Sequence, residues 1–411
     1  MCTERLLAVL AGLLLAGTAP AQAPATPPQS FAEAVAAGRT ALDLRWRAEF
    51  VDQDGIGEDA EASTLRLRLN HATAAYRDFG AFVEFDYVAE LLLDEFNSGG
   101  GTSPDRTQYP VVADPHGGDL NQLYVDYTGL AATRLRIGRQ RILLDNQRFV
   151  GGVGWRQNEQ TYDGLSVRYD GRAGAVLDYA WIGRVNRIFG DRSPQGRDDS
   201  NTQLLNARFE IADGWTLGAY GYRIDDRDVP AFSTATVGAR LGGSLPLGGR
   251  RLGVQVEGAR QSDAANAPVD FNAGYFRLDL SLPVGERLTL AAGYEVLGGD
   301  ADTPGQAFRT PLATLHAFQG WADQFLATPD AGVEDLFLSV TAKPGAWTLA
   351  ATWHDFGAAD GGADWGGELD LSAARRLGDR YGLLLKAALF DADSPAFADV
   401  GKAWLMLTAG W

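Results

Sequence analysis

Only one of the 411 residues is cysteine, Cys2, and only three are lysine, at positions 343, 386 and 402. A single thiol beside the N-terminus leaves no disulfide framework, so stability has to come from elsewhere. Past the first residues no apolar run reaches eighteen, which excludes helical membrane spans. A net charge of −17 argues against nucleic acid as a partner, because phosphate binding needs a basic surface. Histidine is scarce too, at 71, 116, 316 and 354, and with no usable cysteine the chain is poor in nucleophiles and metal ligands.

The N-terminus has the order of a secretory leader. Glu4 and Arg5 precede an apolar run from Leu6 to Ala16, and small residues follow at Ala19, Pro20 and Ala21. Cleavage after Ala21 is expected, leaving 1–21 as signal peptide, 22–40 as a periplasmic segment and 41–411 as the folded body.

In that body, apolar and polar residues alternate with a period of two. In Ala41–Phe50, Leu42, Leu44, Trp46, Ala48 and Phe50 take one face, and Asp43, Arg45, Arg47 and Glu49 take the other. The pattern repeats with Leu65, Leu67 and Leu69 against Arg66, Arg68 and Asn70, and again with Val83, Phe85 and Tyr87 against Glu84 and Asp86. Further strands are predicted near 119–129, 132–141, 161–170, 173–186, 201–212, 214–225, 234–246, 250–262, 270–283, 286–298, 333–343, 345–356, 366–377, 379–391 and 400–411. The total is about eighteen.

The connections alternate between short and long. Tight links such as Asp213-Gly214, Pro344-Gly345 and Gly378-Asp379 are separated by Gly-, Pro- and Asp-rich stretches, the longest near 91–118, 142–160 and 299–332. Outer-membrane barrels sort their connections in this way, with short periplasmic turns and long outer loops. The expected fold is therefore all-β: a transmembrane antiparallel up-and-down β-barrel of about eighteen strands, with both termini periplasmic and a water-filled lumen. Leu405, Leu407, Ala409 and Trp411 end the last strand on an aromatic, a signal suited to barrel-assembly machinery. Two short helices are expected, over Ser30–Ala37 and over Leu315–Leu326, where apolar residues fall three and four apart.

On this alternation Arg45, Arg47, Arg66, Arg68, Arg134, Arg136, Arg168, Arg184, Arg208, Arg240, Arg277 and Lys386 face the lumen. Asp43, Glu49, Glu84, Asp86, Asp126, Glu210, Glu257, Asp279 and Glu295 share it. The plain reading of each is a cross-strand ion-pair ladder that stiffens the wall. The functional reading is a positive constriction where arginine outnumbers acid, in the first two strands and near 134–141. Rings of arginine select anions, and the planar guanidinium fork suits carboxylates. No cofactor is indicated. Asp105, Asp114, His116 and Asp119 lack EF-hand spacing, and the glycine runs at 99–101 and 151–152 lack the Lys-Ser/Thr of a phosphate loop. His354-Asp355 is the only obvious catalytic pair, and neighbours in a strand point to opposite faces.

Three stretches resemble the alginate export family of outer-membrane barrels: Phe31–Phe50 (FAEAVAAGRTALDLRWRAEF), Gly138–Leu165 (GRQRILLDNQRFVGGVGWRQNEQTYDGL) and Pro311–Phe337 (PLATLHAFQGWADQFLATPDAGVEDLF). The resemblance implies a monomeric eighteen-strand channel in outer-membrane lipid that passes an anionic polysaccharide, a polyuronate, without energy coupling. It carries the family's arginine constriction onto Arg45, Arg66, Arg136, Arg139 and Arg141, and further onto Arg168 and Arg184. Glu84 and Asp126 would position these arginines. A general small-solute uptake porin is the alternative.

Overall fold

The computed structural model describes residues 27–171 and 174–411. The expected leader, 1–21, lies outside them. A short helix, α1 (Phe31–Ala36), begins where Ser30 caps it, the serine side chain accepting from the Glu33 backbone N–H. Eighteen antiparallel strands follow in chain order. They are β1 (Arg39–Gln53), β2 (Ala60–Ala72), β3 (Phe79–Glu95), β4 (Gly117–Leu130), β5 (Thr133–Gln140), β6 (Thr161–Asp170), β7 (Val176–Asn186), β8 (Arg197–Ala212) and β9 (Trp215–Ile224). The second half comprises β10 (Thr234–Leu247), β11 (Arg250–Asp263), β12 (Asn272–Val284), β13 (Leu288–Leu297), β14 (Val333–Ala342), β15 (Trp347–Gly357), β16 (Asp364–Leu377), β17 (Tyr381–Ala392) and β18 (Val400–Gly410).

Each strand pairs with its sequence neighbours, and β1 pairs with β18 from Asp43↔Gly410 to Gln53↔Val400, so the sheet closes. Closure removes every open edge, as a sheet spanning hydrocarbon requires. The predicted strand count and order are those observed, with ends shifted by a few residues.

The outer face carries the apolar half of the alternation. Leu69, Phe85, Leu123, Ile137, Leu205, Leu338 and Leu389 all stand exposed on it. Phe79, Tyr169, Phe209 and Tyr381, also exposed, gather near the end with short turns, as an interfacial aromatic girdle does. The Arg77-Asp78 turn shows how tight that end is. Both residues have positive φ, 51° and 66°, and Tyr76 and Phe79 exchange both backbone hydrogen bonds, a type I′ hairpin built without glycine.

The other face is polar and buried, because two long connections fold inward. The inner loop (141–160) and the strap (298–332) meet inside the barrel. Gly151 N–H donates to Leu312 O at 2.8 Å, and Thr314 N–H donates to Gln147 O at 3.0 Å. Phe149 and Phe308 pack with Tyr275 against the β9–β12 wall.

The expected helix over Leu315–Leu326 is not formed. Only Leu315–Ala317 makes a single 3-10 turn; Phe318 is extended, and Gln319, Gly320 and Asp323 have positive φ. The three-and-four spacing arises because Phe318, Trp321 and Phe325 reach separate sites on the wall. Phe318 lies under Arg148 and Arg277, Trp321 under Lys386, and Phe325 against Phe356 and Trp365.

Candidate functional site: the arginine-bearing lumen

Strict alternation through β1 and β2 puts Arg45 directly opposite Arg66, Arg47 opposite Thr64, and Asp43 opposite Arg68, all on the inner face. Neither Arg45 nor Arg66 has a carboxylate within 4.0 Å among the described residues. Arg45 donates instead to neutral oxygens of the inner loop, Gln157 Oε1 and Gly154 O, each at 2.9 Å, and to Arg156 O. Arg66 reaches only Gln157 O, at 3.4 Å, and its Nε is buried without a partner.

The other arginines of this wall are paired. Arg47 meets Asp114 and also donates to Trp155 O at 2.6 Å. Arg68 grips Asp86 through two parallel bonds of 2.7 and 2.5 Å and reaches Glu159 at 2.7 Å. Arg141, where the chain leaves β5 and turns inward, contacts Glu84 at 2.6 Å and Glu159. Burial by itself would raise the Glu159 carboxyl, but Arg68 and Arg141 beside it bring it down to about 2. Arg45, Arg47, Arg66 and Arg68 are at most 8% exposed, because the inner loop covers them.

Toward the short-turn end the wall is more open. Arg134 on β5 stands directly opposite Arg168 on β6, a second arginine-on-arginine rung. Arg134 is exposed and has no carboxylate within 4.0 Å among the described residues, whereas Arg168 touches Asp170 and Asp178 at 3.2 and 3.3 Å. Arg136, one rung further in, holds Asp126 through bonds of 2.6 and 2.7 Å and lies 3.6 Å over the Tyr124 ring.

Across the lumen a charge ladder alternates from β10 to β13 and ends on a second acid in β14. Arg240, Glu257, Arg277, Glu295 and Asp335 are successive register partners from β10 to β14. The inner loop docks on this ladder through Arg148, whose Nε donates to Glu295 at 2.7 Å. The strap docks on the neighbouring wall. His316 Nδ1 is 2.7 Å from Asp323, and its Nε2 is 2.6 Å from Lys386 Nζ. Lys386 also sits 3.6 Å from the Trp321 ring and 4.2 Å from Trp155, while Lys402 reaches Asp323 at 2.9 Å. This geometry assigns a neutral imidazole that donates to the carboxylate and accepts from the ammonium. Burial, helped by Lys386, pushes His316 down to about 3 against the opposing pull of Asp323. Above both loops lies a vestibule of about 1530 Å³, bordered by Arg156, Arg187, Tyr109, His316 and Lys402.

A model of the alginate export family matches residues 38–274, more than half of the chain. The chain belongs to the alginate export family. As a member it is a porin channel of the bacterial outer membrane, a family of channels and not of enzymes. None of the curated proteins matches it. Among solved structures the barrel is similar to Pseudomonas aeruginosa OccK9 (OpdG), with 18% identity and a TM-score of 0.70 over 92% of this chain and 99% of that one. Acinetobacter baumannii OccAB2 has 15% identity and a TM-score of 0.69 over 90% and 98%. Pseudomonas aeruginosa OpdK with vanillate has 12% identity and a TM-score of 0.68 over 90% and 98%. At these identities the likeness is one of fold.

Within this porin the expected arginines divide. Arg45, Arg47, Arg66, Arg68, Arg134, Arg136, Arg141 and Arg168 share the inner side with Glu84, Asp86 and Asp126. Arg139 does not. It pairs with Leu123 in register, on the outward face of Ile137, and binds Asp163 there at 2.8 Å near the outer rim. Arg184 is also displaced. An extra residue, Gly183, interrupts β7 and reverses the alternation, so Arg184 stands beside Asp199 at 3.1 Å at the rim.

The anchoring residues Arg148, Arg156, Gln157 and Glu159 were not singled out from the sequence. A signal was available: five consecutive polar residues, Arg156 to Gln160, just past the glycine-rich stretch 151–154. The pair His354-Asp355 does not converge. His354 faces inward onto Asp335 at 2.9 Å, and Asp355 is exposed on the other face.

Proposed function

We propose that this porin passes carboxylate-bearing solutes across the outer membrane by passive diffusion, and that a polyuronate such as alginate is its permeant. The observation that carries this reading is the pair of arginine-on-arginine rungs, Arg45–Arg66 and Arg134–Arg168. Like charges directly opposite in a sheet are destabilising, so two such rungs on one lumen wall supply positive potential that ladder stability does not require. A uronate carboxylate moving through the lumen can meet the exposed Arg134 directly and is drawn by the potential of the covered Arg45–Arg66 rung, and moderate sites of this kind let it leave as well as enter.

Uptake of small carboxylates is the second reading. It is favoured by the two loops laced across the lumen, which narrow the passage, and by a structural neighbour solved with vanillate. Single-channel recordings with uronate oligomers of increasing length separate the two. Blockade events that lengthen with chain length support polymer passage. Blockade by monouronates and small aromatic acids, with none by longer oligomers, supports small-solute uptake and removes the polymer reading.

A further inference from the structure

Glu368 and Asp370 sit two residues apart on the inner face of β16, and both are 1% exposed. Glu368 Oε1 is the acceptor that holds the strap to the wall, taking the backbone N–H groups of Trp321 and, at 2.8 Å, Ala322. Its other oxygen, Oε2, is buried with no hydrogen-bond partner, and neither oxygen of Asp370 has one. Residues two apart in a strand stand side by side on one face, so the two carboxyl groups are neighbours in a site closed to water. Two ionised carboxylates cannot satisfy one another, since each only accepts. A single proton on Asp370 makes it a donor to Glu368 Oε2 and removes the repulsion.

The neighbouring groups do not replace that proton. From β15, His354 Nε2 is 3.7 Å from Asp370 Oδ2, beyond hydrogen-bond range, while its Nδ1 is engaged by Asp335 of β14. From β17, Lys386 is committed to His316 and the Trp321 and Trp155 rings, and it makes no contact with Asp370 within 4.0 Å. On the strap, Asp323 takes Lys402 of β18, Arg156 of the inner loop and His316. Glu49 of β1 is held by Arg156. The backbone leaves the pair no slack, because a Cβ at Gly320 would stand 2.2 Å from Glu368 Oε2.

We propose that Glu368 and Asp370 share one proton, and that this proton holds the Trp321–Ala322 turn of the strap across the lumen, so that its loss to solvent frees that turn and widens the channel. When the proton leaves, two negative charges face each other in a buried site. The pair separates, and the hydrogen bonds from Trp321 and Ala322 to Glu368 go with it. The rest of the strap keeps its bonds to the inner loop and its His316, Asp323 and Lys386 contacts, so it is the Trp321–Ala322 turn that leaves the wall. Glu368 and Asp370 thus act as positioning residues for the constriction.

The test is single-channel conductance of the full barrel in planar bilayers, stepped from about pH 6 to about pH 10. The wild type is compared with Asp370→Asn, whose amide donates permanently to Glu368, and with His354→Gln. Conductance should rise with pH in the wild type and in His354→Gln, and stay at the low level in Asp370→Asn. A wild-type conductance that is flat with pH overturns the proposal while leaving the channel intact. So does a rise that persists in Asp370→Asn or disappears in His354→Gln. Chymotrypsin cleavage at Phe318 and Trp321 provides the second readout and should follow the conductance, with the Asp370→Asn strap staying protected as pH rises from about 7 to about 10.

Discussion

Arg148 of the inner loop crosses the barrel to Glu295 of β13, and the two side chains, 1% and 0% exposed, meet at 2.7 Å. Removing one member of a buried ion pair leaves the other uncompensated. Glu295 keeps Arg277 at 3.3 Å and the Tyr275 hydroxyl at 2.8 Å. Arg148→Ala is therefore expected at the low end of such losses, about 3 kcal/mol. Urea unfolding of the refolded barrel measures it, and current noise should increase as the inner loop loosens.

Arg134 lacks a carboxylate and faces Arg168, so the account predicts opposite effects on stability and function. Arg134→Gln should leave stability unchanged or raise it by about 0.5 kcal/mol, as expected for relief of a like-charge cross-strand pair. The same change should lower anion preference. A loss of stability together with unaltered selectivity would make Arg134 a structural residue.

The strap should loosen in acid. Burial would raise the Asp323 carboxyl, but His316, Lys402 and Arg156 hold it well below the usual range, so its contribution is present above the unfolded value and lost as pH falls through the folded one. His316 is held down to about 3, so between its unfolded value near 6.5 and that point the unfolded chain binds the extra proton. Both signs agree: strap stability declines as pH drops from about 6.5 toward 3. Chymotrypsin protection of Phe318 and Trp321 should decline over that interval, and His316→Gln should flatten its upper part.

Gly320 has φ +77° and no room for a side chain beside Glu368. Gly320→Ala should cost on the order of 1–3 kcal/mol of local strain and detach the strap without opening the sheet. Retained β-sheet circular dichroism with faster cleavage at Trp321 is the expected pattern. Equal cleavage rates would contradict the anchoring role of Glu368.

The barrel was legible in the sequence because a period of two, repeated between links of alternating length, leaves one topology that satisfies every backbone group in a membrane. The short helix expected over Ser30–Ala37 was likewise a local reading, and α1 forms there. The interior was less legible, since its bonds join residues far apart in the chain: Arg45 to Gln157, Arg148 to Glu295, Glu368 to Ala322. No local periodicity encodes such pairs. Arg184 was misplaced by one inserted glycine, and Arg139 because a motif match was followed where alternation pointed outward. The helical spacing of Phe318, Trp321 and Phe325 was real, but it served three sites on the wall and not one helix face.

The central claim is that unpaired guanidiniums on the lumen wall set the channel's preference. Reversal potential in a KCl gradient, measured on the wild type and on Arg45→Ala, Arg66→Ala and the double variant, tests it most directly. The account predicts anion selectivity in the wild type, weakened in each single variant and nearly abolished in the double. Cation selectivity in the wild type, or anion selectivity that survives loss of both arginines, would contradict it.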